Sequence, residues 1–338
     1  MTAVERVLAD AITARIFPGA VVEVGRAADA FFTLDAGRRT YATDAAIVDA
    51  GTIYDLASLT KVLATAALLA GEVERGRMRL NDRVRHWVPS WTGDDRQAVT
   101  LQDLLEHASG LPAHRPYYET RRGRGSFELA ICEEPLAYLP RTQSIYSDPG
   151  FMLLGFAMEA ASGVPLDRAF EEWRDRALGP GVEVRYGIDA GWLARTAPTE
   201  DSAEGAERRG AVHDENAAAL GGVAAHAGLF GTAAAVGTCA RWWLRSPALA
   251  RFAAKSTVPG SSRALAWDTM LPTSSCGTRL SPRAIGHTGF TGTSLWIDPD
   301  QDLYVVLLTN RVHPTREGDG IQEVRRAVHD AVVEGLRA

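Results

Sequence analysis

The two ends of this chain carry sheet-forming and helix-forming signals in mirrored order, and that limits what it can fold into. Val4, Val7, Leu8, Ala11 and Ile12 recur at helical spacing, which predicts an opening amphipathic helix stopped by Pro18-Gly19. Ala20–Val24 and Ala30–Leu34 read as strands, with Arg26–Asp29 short enough for a hairpin connection. At the far end, Ser294–Ile297 and Leu303–Thr309 read as another strand pair across the turn formers Asp298-Pro299-Asp300-Gln301-Asp302. Ile321, Val324, Val328, Ala331 and Val332 then predict a closing amphipathic helix. Between Leu56 and about Ala240, helical patterns alternate with loops rich in Gly, Pro and Arg. Short strand runs need partners to bury their faces, so the two ends are expected to meet in one α/β domain with a helical region inserted. The length of 338 residues suits about two such units.

Composition excludes several classes. Apolar residues are 46% and charged residues 23%, so the bulk of the chain can bury a core. The net charge of −6 argues against a nucleic-acid surface and against docking to anionic lipid. Cys132, Cys239 and Cys276 are odd in number and far apart, which indicates neither a disulfide framework nor a zinc ribbon. The charge-free stretch Asn216–Ala240 holds five glycines and His226 and reads as packed loop and helix, not a membrane span. Met1–Asp10 lacks a basic start and a continuous apolar core, so a cytoplasmic location is expected. Glu119–Ser126 (ETRRGRGS) reads as a solvated basic loop.

Of the 36 basic residues, only Lys61 and Lys255 are lysine. Arginine stays protonated in essentially any protein environment, whereas a buried lysine can release its proton. Lys61 opens a run, Val62–Ala70, that is apolar or small on all sides and therefore predicts a buried helix. Ser58 lies three residues earlier and so shares its face. A serine in a first helical turn also has free backbone N–H groups and the positive end of the helix dipole beside it. Nucleophile, base and oxyanion donor could thus meet within one turn. The other reading of the same residues is an N-capping serine with a lysine that reaches solvent.

Two further segments bear on that choice. Tyr146-Ser147-Asp148 precedes the apolar run Phe151–Gly155, and a tyrosine in a polar loop ahead of a buried helix can serve as a general base. His287-Thr288-Gly289-Phe290-Thr291-Gly292 leads into the Ser294–Ile297 strand, where Gly289 allows close backbone approach to a ligand. A His213/Asp214/His226 set could bind metal, or could order the loop before Gly228 and border a cleft. His107 reads as holding the loop after its helix, and Trp242-Trp243 as packing in the core or between domains.

In the order S-x-x-K, Y-S-D, H-T-G, these motifs resemble the serine β-lactamase and penicillin-binding-protein superfamily, specifically its branch of class C β-lactamases, DD-peptidases and esterases. Leu101–Pro112 (LQDLLEHASGLP) and Gly228–Ala233 (GLFGTA) are similar to further segments of that family, and His213–Asn216 and Gly286–Ser294 resemble the penicillin-binding protein 4B-like subgroup. The resemblance implies an α+β fold: an antiparallel sheet flanked by helices, with an inserted mostly helical domain. Residues 1–57 and 235–338 would form the sheet domain and 58–234 the helical one, with the active site between them. It implies Ser58 as nucleophile, Lys61 as proton relay, Tyr146 as partner base, and the backbone N–H groups of Ser58 and Phe290 as oxyanion hole. His287, Thr288 and Gly289 would face the substrate, with His287, in place of a lysine, binding an anion as imidazolium. Asp148 replaces an asparagine. An aspartate can only accept a hydrogen bond and favours the ammonium form of a nearby lysine, so it is expected to move weight onto Tyr146, to weaken β-lactam turnover and to receive a positive group of the substrate. No metal or cofactor is implied. The expected partner is a small-molecule or peptide acyl substrate, with no nucleic acid and no membrane, and the expected assembly is a monomer or weak homo-oligomer. The activity implied is acyl hydrolysis of a peptide, amide or ester; a carboxylesterase and a catalytically silent binding module stand as alternatives.

Overall fold

The computed structural model describes residues 2–202 and 205–337, so the outer limits 1 and 338 of the expected sheet domain lie outside the described residues. Among the described residues nine strands form two sheets: β1 (Gly19–Gly25), β2 (Ala30–Gly37), β3 (Tyr54–Asp55), β4 (Val184–Tyr186), β5 (Leu229–Gly231), β6 (Asp268–Thr269), β7 (Ile285–Thr288), β8 (Ser294–Asp298) and β9 (Leu303–Thr309). The larger sheet is antiparallel throughout in the order β2-β1-β9-β8-β7-β6. The N-terminal hairpin therefore joins the C-terminal strands directly, with Val22 opposite Leu307.

Both faces of the central strands are covered, and strand alternation sorts their side chains between two cores. Ala20, Val22 and Val24 of β1, with Val305 and Leu307 of β9, pack under the terminal helices Thr2–Thr13 and Ile321–Arg337. Val21, Tyr304, Val306 and Leu308 point the other way, into the core beneath helix Ala233–Arg245. Edge strand β2 alternates half-buried and exposed positions because only one of its faces is covered.

The structure departs from the sequence expectations in four places. The opening helix ends at Thr13, before Pro18-Gly19: Arg15 turns left-handed (φ 57°) and the Ile16 N–H closes the helix on the Ala11 carbonyl at 3.0 Å. Gly123–Ser126 of the basic run is the first turn of helix Gly123–Glu133, so only its first half is irregular. The charge-free stretch after Asn216 contains β5 between helices Glu215–Ala219 and Ala233–Arg245. Finally, β5 pairs with β3 and β4 in a small sheet that ties residues on either side of position 57 together. Strands of two or three residues are too short for a period-2 signal to register. The helices Asp148–Ser162 and Ala66–Glu74 are buried along the sequence runs that predict them, and Trp243 is fully buried with its indole donating to the Val62 carbonyl at 3.1 Å.

Candidate active site

Ser58 sits in a tight turn, Ala57–Leu59, immediately after β3. Ala57 is held at φ 46°, a conformation that disfavours a side chain, and the buried Asp55 carboxylate accepts its N–H at 2.8 Å. Lys61–Thr65 then form one turn of π-helix, closed by the Ala66 N–H on the Lys61 carbonyl. Local spacing and this widened turn put Ser58 and Lys61 on one face: Nζ donates to Oγ at 3.2 Å. Lys61 is completely buried; its Nζ also donates to the His226 carbonyl at 3.0 Å and forms an ion pair with Asp148 Oδ1 at 2.8 Å. Burial opposes the charge on Lys61, but Asp148 and the Tyr146 oxygen outweigh it, and its pKa lies above the ordinary lysine value.

Tyr146 arrives from 88 residues away and donates its hydroxyl to Ser58 Oγ at 3.0 Å. Ser147 caps helix Asp148–Ser162 through the Gly150 N–H at 3.1 Å and donates to the Pro112 carbonyl at 2.7 Å, while its own N–H donates to His107 Nδ1 at 2.9 Å. The segment after helix Leu101–Leu105 thus pins the Y-S-D loop, and the His107 ring stacks against Tyr146 with centroids 4.6 Å apart. Burial raises the Tyr146 phenol, so it rests protonated.

The H-T-G segment ends β7 against the nucleophile turn. Thr291 donates to the Asp55 carbonyl at 2.7 Å and Thr293 to the Leu56 carbonyl at 3.1 Å. A Cβ at Gly289 would stand 2.7 Å from the Leu56 carbonyl oxygen, which is why glycine is required there. The buried Arg325, from the closing helix, donates to the carbonyls of Gly289 and Thr293 at 2.8 and 2.9 Å, and Arg311 holds the Phe290 carbonyl at 2.9 Å. The Phe290 N–H takes no partner among the described residues, and Ser58 precedes the first turn-closing bond, Leu59 N–H to Leu56 carbonyl at 3.0 Å. Ser58 and Phe290 border one cleft of about 530 Å³, together with Tyr146, Asp148, Thr288 and His213.

Three expectations change on the structure. His287 is 2% exposed, and burial together with the positive charge of Lys61 pushes its pKa down to about 3. It is a neutral imidazole whose Nδ1 meets the Thr288 carbonyl at 2.8 Å, so it cannot bind an anion as imidazolium near neutrality. KM for an anionic substrate should accordingly stay flat from about pH 5.5 to 8.5; a rise across that range would restore the imidazolium role. His226 does not border the cleft. It is buried behind Lys61, with Nε2 2.8 Å from Asp214, whereas His213 lines the cleft and stacks on Phe290 at 5.7 Å. Third, Asp148 Oδ1 is committed to Lys61, so a substrate cation would have to compete with the lysine. Among the described residues no group of three or more His, Cys, Asp and Glu side chains is arranged to hold a metal ion, and no single helix is long and apolar enough to cross a membrane.

Sequence reasoning did not single out Arg263, Arg311 or Arg325. Arg263 lies over the Tyr146 ring at 5.1 Å and pairs with Asp268 at 2.5 Å. In a chain that uses arginine almost everywhere, another arginine carries no local signal.

Fold and constellation together define a serine acyl hydrolase, in which a serine hydroxyl contacts a lysine and a tyrosine at the foot of a cleft. The chain belongs to the Beta-lactamase family, whose model matches residues 4–329. A relative in Escherichia coli K12, named "Putative D-alanyl-D-alanine carboxypeptidase", is 32% identical over 306 residues, covering 78% of this chain and 70% of the relative. Two solved structures share the fold. EstCE1, described as a hydrolase with promiscuous acyltransferase activity, gives a TM-score of 0.79 at 19% identity over 98% of both chains. A class C β-lactamase from Rhodobacter sphaeroides gives 0.79 at 21% identity over 99% of this chain and 100% of its own.

Proposed function

We propose that the chain hydrolyses a short peptide or related amide through an acyl-enzyme on Ser58. The observation that carries this is the convergence of Lys61 Nζ and Tyr146 Oη on Ser58 Oγ at 3.2 and 3.0 Å. Ser58 Oγ attacks the carbonyl, and the N–H groups of Ser58 and Phe290 receive the developing oxyanion. Tyr146 hands its proton to the leaving nitrogen as the C–N bond breaks and is replenished by the proton Ser58 gave up; water then attacks the acyl carbon, one of its protons returning to Ser58 Oγ as the C–Oγ bond breaks. The peptide reading is supported by the carboxypeptidase name of the 32% identical relative. A carboxylesterase is the second reading, favoured by the Phe290 ring, half exposed beside the oxyanion loop, which offers an apolar wall for an ester's acyl chain.

A panel of D-Ala-D-Ala peptide, p-nitrophenyl ester, penicillin and nitrocefin, with the acyl-enzyme trapped and weighed, tests both. The peptide reading expects the highest kcat/KM on the peptide and weak β-lactam turnover; a preference of 100-fold or more for the ester, on the order of what a pocket built for one group can impose, selects the esterase. No acyl mass from any of these, nor from a fluorophosphonate, would favour a silent binding module.

Gly289→Ala tests the oxyanion assignment. The added methyl meets the Leu56 carbonyl and the Thr293 hydroxyl and must push the Phe290 N–H away. kcat should fall by about 10²–10³-fold, the usual cost of one oxyanion donor, with KM little changed. An unaltered kcat in a variant of native circular dichroism would remove Phe290 from the oxyanion hole.

A further inference from the structure

Lys61 Nζ donates to the His226 carbonyl at 3.0 Å and to Ser58 Oγ at 3.2 Å, and it forms an ion pair with Asp148 Oδ1 at 2.8 Å. An ammonium held this way has no lone pair for the Ser58 proton. Tyr146 also donates to Ser58 Oγ, so the hydroxyl that must lose a proton faces two donors. The negatively charged group in contact with this set is the Asp148 carboxylate. Asp214 is committed elsewhere, to His226 Nε2 at 2.8 Å and to the Ala217 N–H at 2.8 Å.

We propose that Asp148 is a positioning residue that receives, through Lys61, the proton Ser58 gives up on acylation. This rests on the Ser58 acyl-enzyme reading above. As the Ser58 O–H bond breaks, an N–H bond forms at Lys61 Nζ. A different Nζ–H bond breaks and an O–H bond forms at Asp148 Oδ1, so Lys61 is an ammonium before and after. Oγ bonds to the substrate carbonyl carbon. Tyr146 gives its proton to the leaving nitrogen or oxygen, and the proton parked on Asp148 returns through Lys61, whose Nζ lies 4.9 Å from the Tyr146 ring centre, to the phenolate. No proton is gained or lost overall. The arrangement accounts for the use of lysine in a chain of arginines, because the relay needs a cation that can release a proton in transit. Burial assists, since a low-dielectric site narrows the gap between the ion pair and its neutral form.

The groups that face Lys61 and Asp148 are Tyr146 from the same loop, Ser58 from the nucleophile turn, His226 and Asp214 from the segment before β5, His107 from the loop after Leu101–Leu105, His287 from β7, and Arg263. Burial holds His107 and His287 neutral, and His226 keeps Asp214 ionised against the effect of burial, so none of these three supplies a competing transition near neutrality.

The test is the pH dependence of kcat/KM for Asp148→Asn and Asp148→Glu beside the wild type, with p-nitrophenyl ester as substrate and fluorophosphonate labelling of Ser58 in each. In Asp148→Asn the anion that outweighs burial is gone, Lys61 becomes easier to deprotonate, and it can act as base only when neutral. We expect about a 100-fold loss at pH 7, within the usual range for a proton-transfer group, followed by recovery of close to tenfold per pH unit towards pH 9.5, where the wild type stays flat. Asp148→Glu should keep the wild-type profile shape at reduced amplitude. A profile of Asp148→Asn that is parallel to the wild type, whatever its amplitude, overturns the proposal while leaving Ser58 in place. Failure of the wild type itself to label at Ser58 overturns the acyl-enzyme reading, and this proposal with it.

Discussion

Ser58→Ala is expected to abolish the acyl-enzyme and to lower kcat/KM by on the order of 10⁴-fold or more, leaving only the catalysis that binding and the oxyanion N–H groups supply. The substitution removes one oxygen from a turn whose geometry is set elsewhere, by Asp55 on the Ala57 N–H and by the Leu229 carbonyl on the Leu56 N–H at 2.9 Å. The turn should therefore persist and the substrate should still bind. Intact-mass measurement after fluorophosphonate or penicillin treatment gives the covalent readout, and steady-state kinetics on the preferred substrate give the second. An acyl adduct of unchanged stoichiometry in the alanine variant would mean that another residue is the nucleophile.

Lys61→Met should damage both activity and stability, for separable reasons. Methionine fills the buried volume but leaves Asp148 facing an apolar neighbour with its cation gone, and strands the His226 carbonyl and a Ser58 lone pair. Breaking a buried pair from one side costs about 3–5 kcal/mol; the 17% exposure of the Asp148 side chain places the expected loss at the lower end, about 3 kcal/mol. The double variant Lys61→Met with Asp148→Asn removes both charges and should regain a large part of that stability while staying at least 10³-fold below wild type in kcat/KM. Urea unfolding and kinetics on the four proteins of the cycle provide the check. Equal stability of the single and double variants would show that the Lys61–Asp148 pair is not electrostatically coupled.

The parts of the site that could be read along the chain are those whose geometry is local. Ser58 and Lys61 are one helical turn apart, so their contact at 3.2 Å follows from helix pitch once the turn forms. Residue chemistry marks Tyr146 as a possible base and Gly289 as a point of close approach, but their meeting with Ser58 is legible only through the resemblance to a family, because nothing in the 87 residues between Ser58 and Tyr146 states where the chain returns. The ionisation of His287 was misread for a related reason. A histidine beside Thr288 and Gly289 looks like any solvent-titrating imidazole, and its neutrality is imposed by burial and by the charges of Lys61 and Arg263, which come from other segments. The roles of Arg325 and Arg311 were invisible for the same cause, since they act on carbonyls 36 and 21 residues distant.

What the chain order determines by itself is local periodicity and chemistry: amphipathic helices at both termini, strands long enough to alternate, a buried helix with one lysine in it, and a serine one turn away. These depend on interactions a few residues apart, and residue identity is sufficient to state them. The closure of the sheet between Val22 and Leu307, the pinning of Tyr146 by His107 and Ser147, the pairing of Lys61 with Asp148 and the protonation states that follow were decided only by the tertiary structure. Each of those depends on which groups share a desolvated space, and desolvation is a property of the packed molecule, not of any stretch of its sequence.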